Sequence, residues 1–305
     1  MILYILYFIL GLCAGSFLNA VIWRLEKGKS VILDSGGVAN ESSRRRGLSP
    51  AIPINVFTRS QCPQCRHKLA WHDLVPVFSF IFLRGKCRYC KHPISWQYPL
   101  VEISTALIFS LIFNYQLLII NNVSSLKFSP AGGPPAGWQV LSLIFWLYIA
   151  SALIVIFVYD LKHYIIPDKI LFPAIAISIM YHVLSIMQAE NYALYIIHNT
   201  LYYVGSAIGA SAFFLLLVLI SRGRAMGLGD VKFVFLMGLF LGWPNILVAL
   251  FSAFFFGALV GLVLIFGGRK TLKSQVPFGP FLIAGTFIAL FFGERIVSWY
   301  LHLLF

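Results

Sequence analysis

Apolar residues in this chain gather into long runs, and polar residues gather between them. A membrane helix needs roughly 20 mostly apolar residues. By that measure the pattern predicts spans near 1–23, 99–121, 139–160, 168–187, 197–220, 231–243, 245–266 and 278–303. The sixth is short and ends near Trp243-Pro244. The expected fold is an all-α polytopic membrane protein of about eight transmembrane helices. The first run, "MILYILYFILGLCAGSFLNAVIW", lacks a basic start and leads straight into a basic loop, so it reads as a retained span and not a removable signal.

Composition strengthens this picture. Of 305 residues, 60% are hydrophobic and 11% charged, which excludes an ordinary soluble domain. The formal charge of +13 is a topology signal. Threading these spans puts nearly every Lys and Arg on one side and leaves only Lys127 and Arg295 on the other. Basic loops stay inside, so the basic side is expected in the cytoplasm and both termini outside. No nucleic-acid recognition motif accompanies the charge, so nucleic acid is not an expected partner.

The pattern divides the chain into a first span (1–23), a cytoplasmic loop (24–98), a second span with an external loop (99–138) and a membrane domain (139–305). Within the loop, 28–49 has no apolar period and reads as a flexible insert. The region 60–92 carries Cys62-x-x-Cys65 and Cys87-x-x-Cys90 with 21 residues between the pairs. Two such pairs can wrap one tetrahedral zinc, and a loop this small needs such a staple. Four protein ligands leave no open position, so the expected zinc is structural. Two disulfides are the rival, disfavoured by a reducing cytoplasm. His67, His72 and His92 are the other candidate ligands, and Cys13 reads as a small packing residue of the first span.

Among 10 acidic residues, Asp160 ends the third span and Asp230 opens the sixth, at similar depth on the cytoplasmic side. Two carboxylates held close share a proton, so one can activate water while the other polarises or protonates an amide. Gly227 and Gly229 would let the backbone turn and a peptide approach Asp230. The plainer reading is that Asp230 caps its helix, that Asp160 pairs with Lys162 or His163, and that Asp168, after Pro167, caps the fourth span.

In this order, "GSFLNAVIWRL" (15–25), the cysteine region (60–90), "YPLVE" (98–102), "DLKHYIIPD" (160–168), "GLGDVK" (227–232) and "PFGPFL" (277–282) resemble the type IV prepilin peptidases, Gly-x-Gly-Asp intramembrane aspartic proteases. The resemblance implies an enzyme of the bacterial inner membrane. Such an enzyme cleaves the basic leader of type IV prepilins and type II secretion pseudopilins on the cytoplasmic face. It then N-methylates the new terminus with S-adenosylmethionine. Carried over by position, Asp160 and Asp230 are catalytic and Cys62, Cys65, Cys87 and Cys90 bind zinc. Glu102 is a candidate to hold the substrate amine, its plainer reading being an acid at a helix start. The insert at 28–49 and Gln97 before "YPLVE" depart from the family's pattern. The alternatives are a peptidase without methyl transfer, an ion-coupled transporter using the two aspartates, and a scaffold without activity.

Overall fold

The computed structural model describes residues 2–26, 61–65, 67–125, 136–187, 201–223, 226–267 and 276–304. The predicted insert at 28–49 lies outside the described residues, as do Ser60 and Arg66 of the cysteine region. The chain forms two compact units, Met1–Ser110 and Leu111–Phe305. Among the described residues every extended element is a helix, and the only β-type pairings are two isolated bridges.

In the first unit, α1 (Ile2–Glu26) lies against the start of α3 (Gln97–Ser125). Small residues make that approach possible, since lipid offers helices no hydrophobic reason to associate and close backbone packing must do it instead. A Cβ at Gly11 would sit 2.5 Å from the Ala106 Cα, and one at Gly15 would sit 2.6 Å from the Glu102 Cα. Asn19 ties the pair further, donating to the Tyr98 carbonyl at 3.1 Å and accepting from Gln97 Nε2 at 3.4 Å. Cys13, expected as a small packing residue, is exposed. Between the two long helices come a 3-10 turn (Trp71–Leu74) and the single-turn helix α2 (Phe78–Phe82).

The second unit holds the rest of α3 and α4 (Ala136–His163), α5 (Asp168–Met187), a π-helical turn (Leu201–Gly205), α6 (Ser206–Ser221), α7 (Leu228–Leu241), α8 (Asn245–Phe266) and α9 (Gly279–Leu304). Seven helices among the described residues are long and apolar enough to cross a membrane. The predicted sixth span is the exception. As α7 it has 14 residues, about 21 Å of helix against a hydrocarbon core of about 30 Å. It tolerates this shortness because protein, not lipid, surrounds it. Every residue from Leu236 to Leu241 is buried, and Phe233, fully enclosed, packs in one core with Ile149, Leu153 and Ile156 of α4, Leu171 of α5 and Phe214 of α6. Close approaches again use small residues, Gly238 meeting the Ala207 backbone and Gly285 the Ala249 carbonyl. The other faces carry exposed large apolar residues such as Leu219, Phe251 and Val263, the surface lipid would cover. The chain is a multi-pass membrane protein.

Candidate active site and metal-binding cluster

Asp160 sits in the last turn of α4 and is 4% exposed. It is enclosed by the start of α9, where the Gly279 amide donates a hydrogen bond to its carboxylate. Gly279 is glycine for a steric reason, because any Cβ there would collide with Asp160 Oδ2. Asp230 is the third residue of α7 and half-buried. Its Oδ2 accepts from the Gly227 amide at 3.2 Å, so the capping reading is realised: one free N–H of the helix start is satisfied by an acid where the dipole favours it. The same packing brings the start of α7 to the connector that follows Asp160, with Gly229 against Ile166 and Lys232 against Asp168, and sets Asp230 within electrostatic range of Asp160.

For Gly227 and Gly229 the expected special turn is not what the structure requires. Gly227 has ordinary extended dihedrals, φ −87° and ψ 157°. A Cβ at Gly229 would make only van der Waals contact with Ile166 at 3.5 Å, and one at Gly227 would meet nothing nearer than 3.8 Å. Neither glycine is needed for a strained turn. What they leave is a bare helix start beside Asp230.

The connector after α4 and the start of α7 are also clamped together. Lys232 Nζ donates to both Asp168 oxygens, at 3.0 and 3.1 Å, and lies 5.2 Å from the centroid of the Phe172 ring. Asp168 thus opens α5, as expected, and also pairs with α7 through Lys232. Pro167 supports the same turn, its carbonyl accepting from Ile170 and Leu171 at 3.0 and 3.1 Å. The Gly279 contact was missed by sequence reasoning. "PFGPFL" was visible as a motif, but nothing local connects residue 279 to residue 160.

In the first unit, the sulfurs of Cys62, Cys65, Cys87 and Cys90 all lie within 4.8 Å of one another. All four are free thiols, which removes the disulfide reading. The cluster is built by two equivalent knuckles. The Cys62 amide donates to the His67 carbonyl at 3.0 Å and the Cys87 amide to the His92 carbonyl at 2.8 Å. Each loop is closed by an antiparallel bridge, Gln61 to Lys68 and Lys86 to Pro93. The histidines stand outside the thiol cluster: the His67 ring lies 3.7 Å from that of Tyr89, tilted by 34°, His92 lies 3.3 Å from Gln64 Nε2, and His72 lies 3.6 Å from Asp73. Four converging thiols could hold a metal ion.

Electrostatics prepare them for it. Burial opposes ionisation of Cys62, yet hydrogen bonds from the Cys65 and Gln64 amides and the neighbouring thiols bring it down to about 7. For Cys90 a hydrogen bond from the His92 backbone favours the thiolate, but burial and the three other thiols push it up to about 11. Without an ion, four sulfurs so close cannot all carry charge. A cation reverses that penalty. Asp73 stiffens the loop between the knuckles, accepting from Arg88 Nε at 2.7 Å and from the Ala70 amide at 3.2 Å. Burial raises Asp73, but these partners hold its carboxyl below the usual carboxylate range.

Glu102 is buried in the second turn of α3, and its Oε2 accepts from the Val77 amide at 2.7 Å. Neither sequence reading, amine holder or helix-start acid, described this tether. Val77 has φ 60°, an outlier for a β-branched residue.

A membrane protein whose described elements are helices, with an aspartate at each of two helix ends and four thiols that could hold a metal, points to a narrow class, the intramembrane aspartic enzymes. Comparison with known proteins agrees. The family model described as the Bacterial Peptidase A24 N-terminal domain matches residues 9–116, and that of the Type IV leader peptidase family matches 147–262. A protein of Aeromonas hydrophila named prepilin leader peptidase/N-methyltransferase is 29% identical over 309 residues, 97% of this chain and 93% of its own length. Proteins of the same name from Pseudomonas aeruginosa and Legionella pneumophila are each 28% identical, over 96% and 98% of this chain and 92% and 94% of their own lengths. No solved structure matches. The chain belongs to the type IV leader peptidase family.

Proposed function

We propose that this protein is a prepilin peptidase that cleaves the leader of type IV prepilins and pseudopilins and then N-methylates the new terminus. The reading rests foremost on Asp160 and Asp230, brought within charge–charge reach at the ends of two different helices. One carboxylate takes a proton from a water molecule, whose oxygen attacks the scissile carbonyl. The other, protonated, donates to the carbonyl oxygen, and a proton then passes to the leaving amine as the C–N bond breaks. The Gly279 hydrogen bond orients Asp160, and the Gly227 hydrogen bond orients Asp230. The bare start of α7 gives an extended leader backbone room beside Asp230. The transporter reading loses ground, because transporters place such acids at corresponding broken segments near the midplane.

Zinc is the ion proposed for the cysteines. A tetrahedral zinc with sulfurs at ~2.3 Å spaces those sulfurs ~3.8 Å apart. Cys62 and Cys90 are 3.8 Å apart. The ion would hold four thiolates and fix the loop's shape. S-adenosylmethionine would supply the methyl group, as the relatives' names imply. The positive-side bias supports a cytoplasmic position, at the bacterial inner membrane, for the zinc loop and both aspartates.

The test is mass spectrometry of a prepilin incubated with the purified enzyme in lipid, with and without S-adenosylmethionine, beside Asp230→Asn. Loss of the leader plus one methyl group, with no cleavage by the variant, is the expected result. Cleavage without methylation would confine the function to proteolysis, and failure to cleave any prepilin would overturn the proposal.

A further inference from the structure

The metal-binding segment carries an apolar surface that its own small core does not use. Phe78, Ile81 and Phe82 of α2 are 56%, 62% and 81% exposed. They occupy positions i, i+3 and i+4, so they form one face of that turn. Trp71 and Trp96 are 81% and 70% exposed, and the Trp96 ring lies 5.0 Å from that of Phe80 on the same helix. A water-facing loop has no physical reason to display two tryptophans, two phenylalanines and an isoleucine together.

The Glu102 tether says where this face lies. Gln97 is the first residue of a helix long and apolar enough to span a bilayer, and Glu102 is about 7.5 Å further along it. A helical side chain leans toward the N-terminus, so the hydrogen bond from Val77 to Glu102 fixes the start of α2 level with the first turns of a membrane helix. Interfacial elements sink their apolar face about 5–10 Å into the headgroup and acyl boundary, which is the same depth. Charge points to the same partner. Arg84, Lys86 and Lys91, in the segment that follows α2, are exposed. Residues 61–96 contain six Lys or Arg against the single acid Asp73, and stay net positive even with four thiolates on a divalent ion.

We infer that the loop from Trp71 to Trp96 rests on an anionic bilayer surface, with the α2 face and both tryptophans set among the lipid headgroups. The apolar side chains enter the boundary, the basic side chains meet lipid phosphates, and the strained Val77 backbone is held by Glu102 so that α2 lies beside α3 at that depth. The metal-stapled loop is then an amphipathic wedge between two spans.

The full-length protein in nanodiscs tests this. The discs contain phosphatidylglycerol and phosphatidylcholine, brominated either near the headgroup or deep in the acyl chain. The emission that Trp71→Phe and Trp96→Phe remove is the signal of those two tryptophans. That signal should be lost in shallow-brominated discs and largely retained in deep-brominated ones, and its shallow quenching should weaken in discs without phosphatidylglycerol or in Lys86→Glu/Lys91→Glu. An unquenched signal in both kinds of disc would overturn the inference, and equal quenching without phosphatidylglycerol would overturn its electrostatic part. A second measurement does not depend on the tryptophan variants. With Phe82 replaced by photoreactive p-benzoylphenylalanine, irradiation should attach lipid, whereas adducts to a second copy of the chain or to added prepilin in place of lipid would overturn it.

Discussion

The cysteine loop and the aspartate helices solve the same problem, holding reactive side chains at fixed positions, by opposite means. The loop has almost no interior: of its large apolar side chains several are more exposed than buried, and its order comes from two amide-to-carbonyl closures, the Asp73 hydrogen bonds and four converging sulfurs. The aspartates stand on a closely packed apolar bundle, and their fine placement comes from where a side chain is missing, at Gly279 beside Asp160 and at the bare start of α7 beside Asp230. Ligand bonds should therefore govern the loop, and steric fit the aspartates. Damage to one region should leave the other's structure intact.

The largest effect is expected at the aspartates. Asp160→Asn and Asp230→Asn should each lower prepilin cleavage by roughly 10²–10⁴-fold, the usual worth of a general acid or base, with yield and metal content unchanged. Gly279→Ala comes next. Its methyl group must displace the Asp160 carboxylate, and a misplacement of that size costs on the order of 100-fold. Cleavage kinetics would check both, and an active Gly279→Ala enzyme would break the steric half of the comparison. Cys62→Ser should act on folding instead. A structural zinc contributes roughly 10–16 kcal/mol in small zinc-folded peptides, so elemental analysis should find less metal and expression less folded protein, with methyl transfer damaged too. If it abolished cleavage with metal and yield intact, the division between the regions would fail.

Smaller effects sharpen the contrast. Asp73 is held below the ordinary carboxylate range. Its contribution to the loop is thus full above that range and is lost as pH falls through the lowered value. Arg88→Met removes the partner that lowers it, so the loss should come at higher pH, read as earlier metal release on acidification. Lys232→Met should do least, because the Asp168 pair is about half exposed and such pairs contribute about 1 kcal/mol or less. A thermal melt should barely move.

Much of this was legible in the sequence because lipid simplifies the code. Seven of the predicted runs became helices able to cross a bilayer, as an apolar stretch in lipid has little alternative to a helix. The α7 segment departed because hydropathy reports what a residue avoids and not what surrounds it. Enclosed by neighbouring helices, a short segment needs no full lipid-facing length. The cysteine cluster was legible because Cys-x-x-Cys spacing is local. The Gly279 contact and the Glu102 tether were not, since each joins residues whose proximity depends on how helices pack. Of the two expectations for the glycines around Asp230, the special turn is not needed, since neither has a positive φ, whereas the space beside the acid is there.

The two knuckles carry one further consequence. Each supplies two sulfurs and is by itself half a site, so neither can keep an ion while the other is open. With zinc as the ion, ordering of the loop becomes an encounter between chain and metal, and the ordered fraction follows the ratio of free ion to its dissociation constant. Metal scarcity would then empty this loop while the helices carrying Asp160 and Asp230 stay assembled, making the cell's trace-metal supply a dial on one half of the molecule alone.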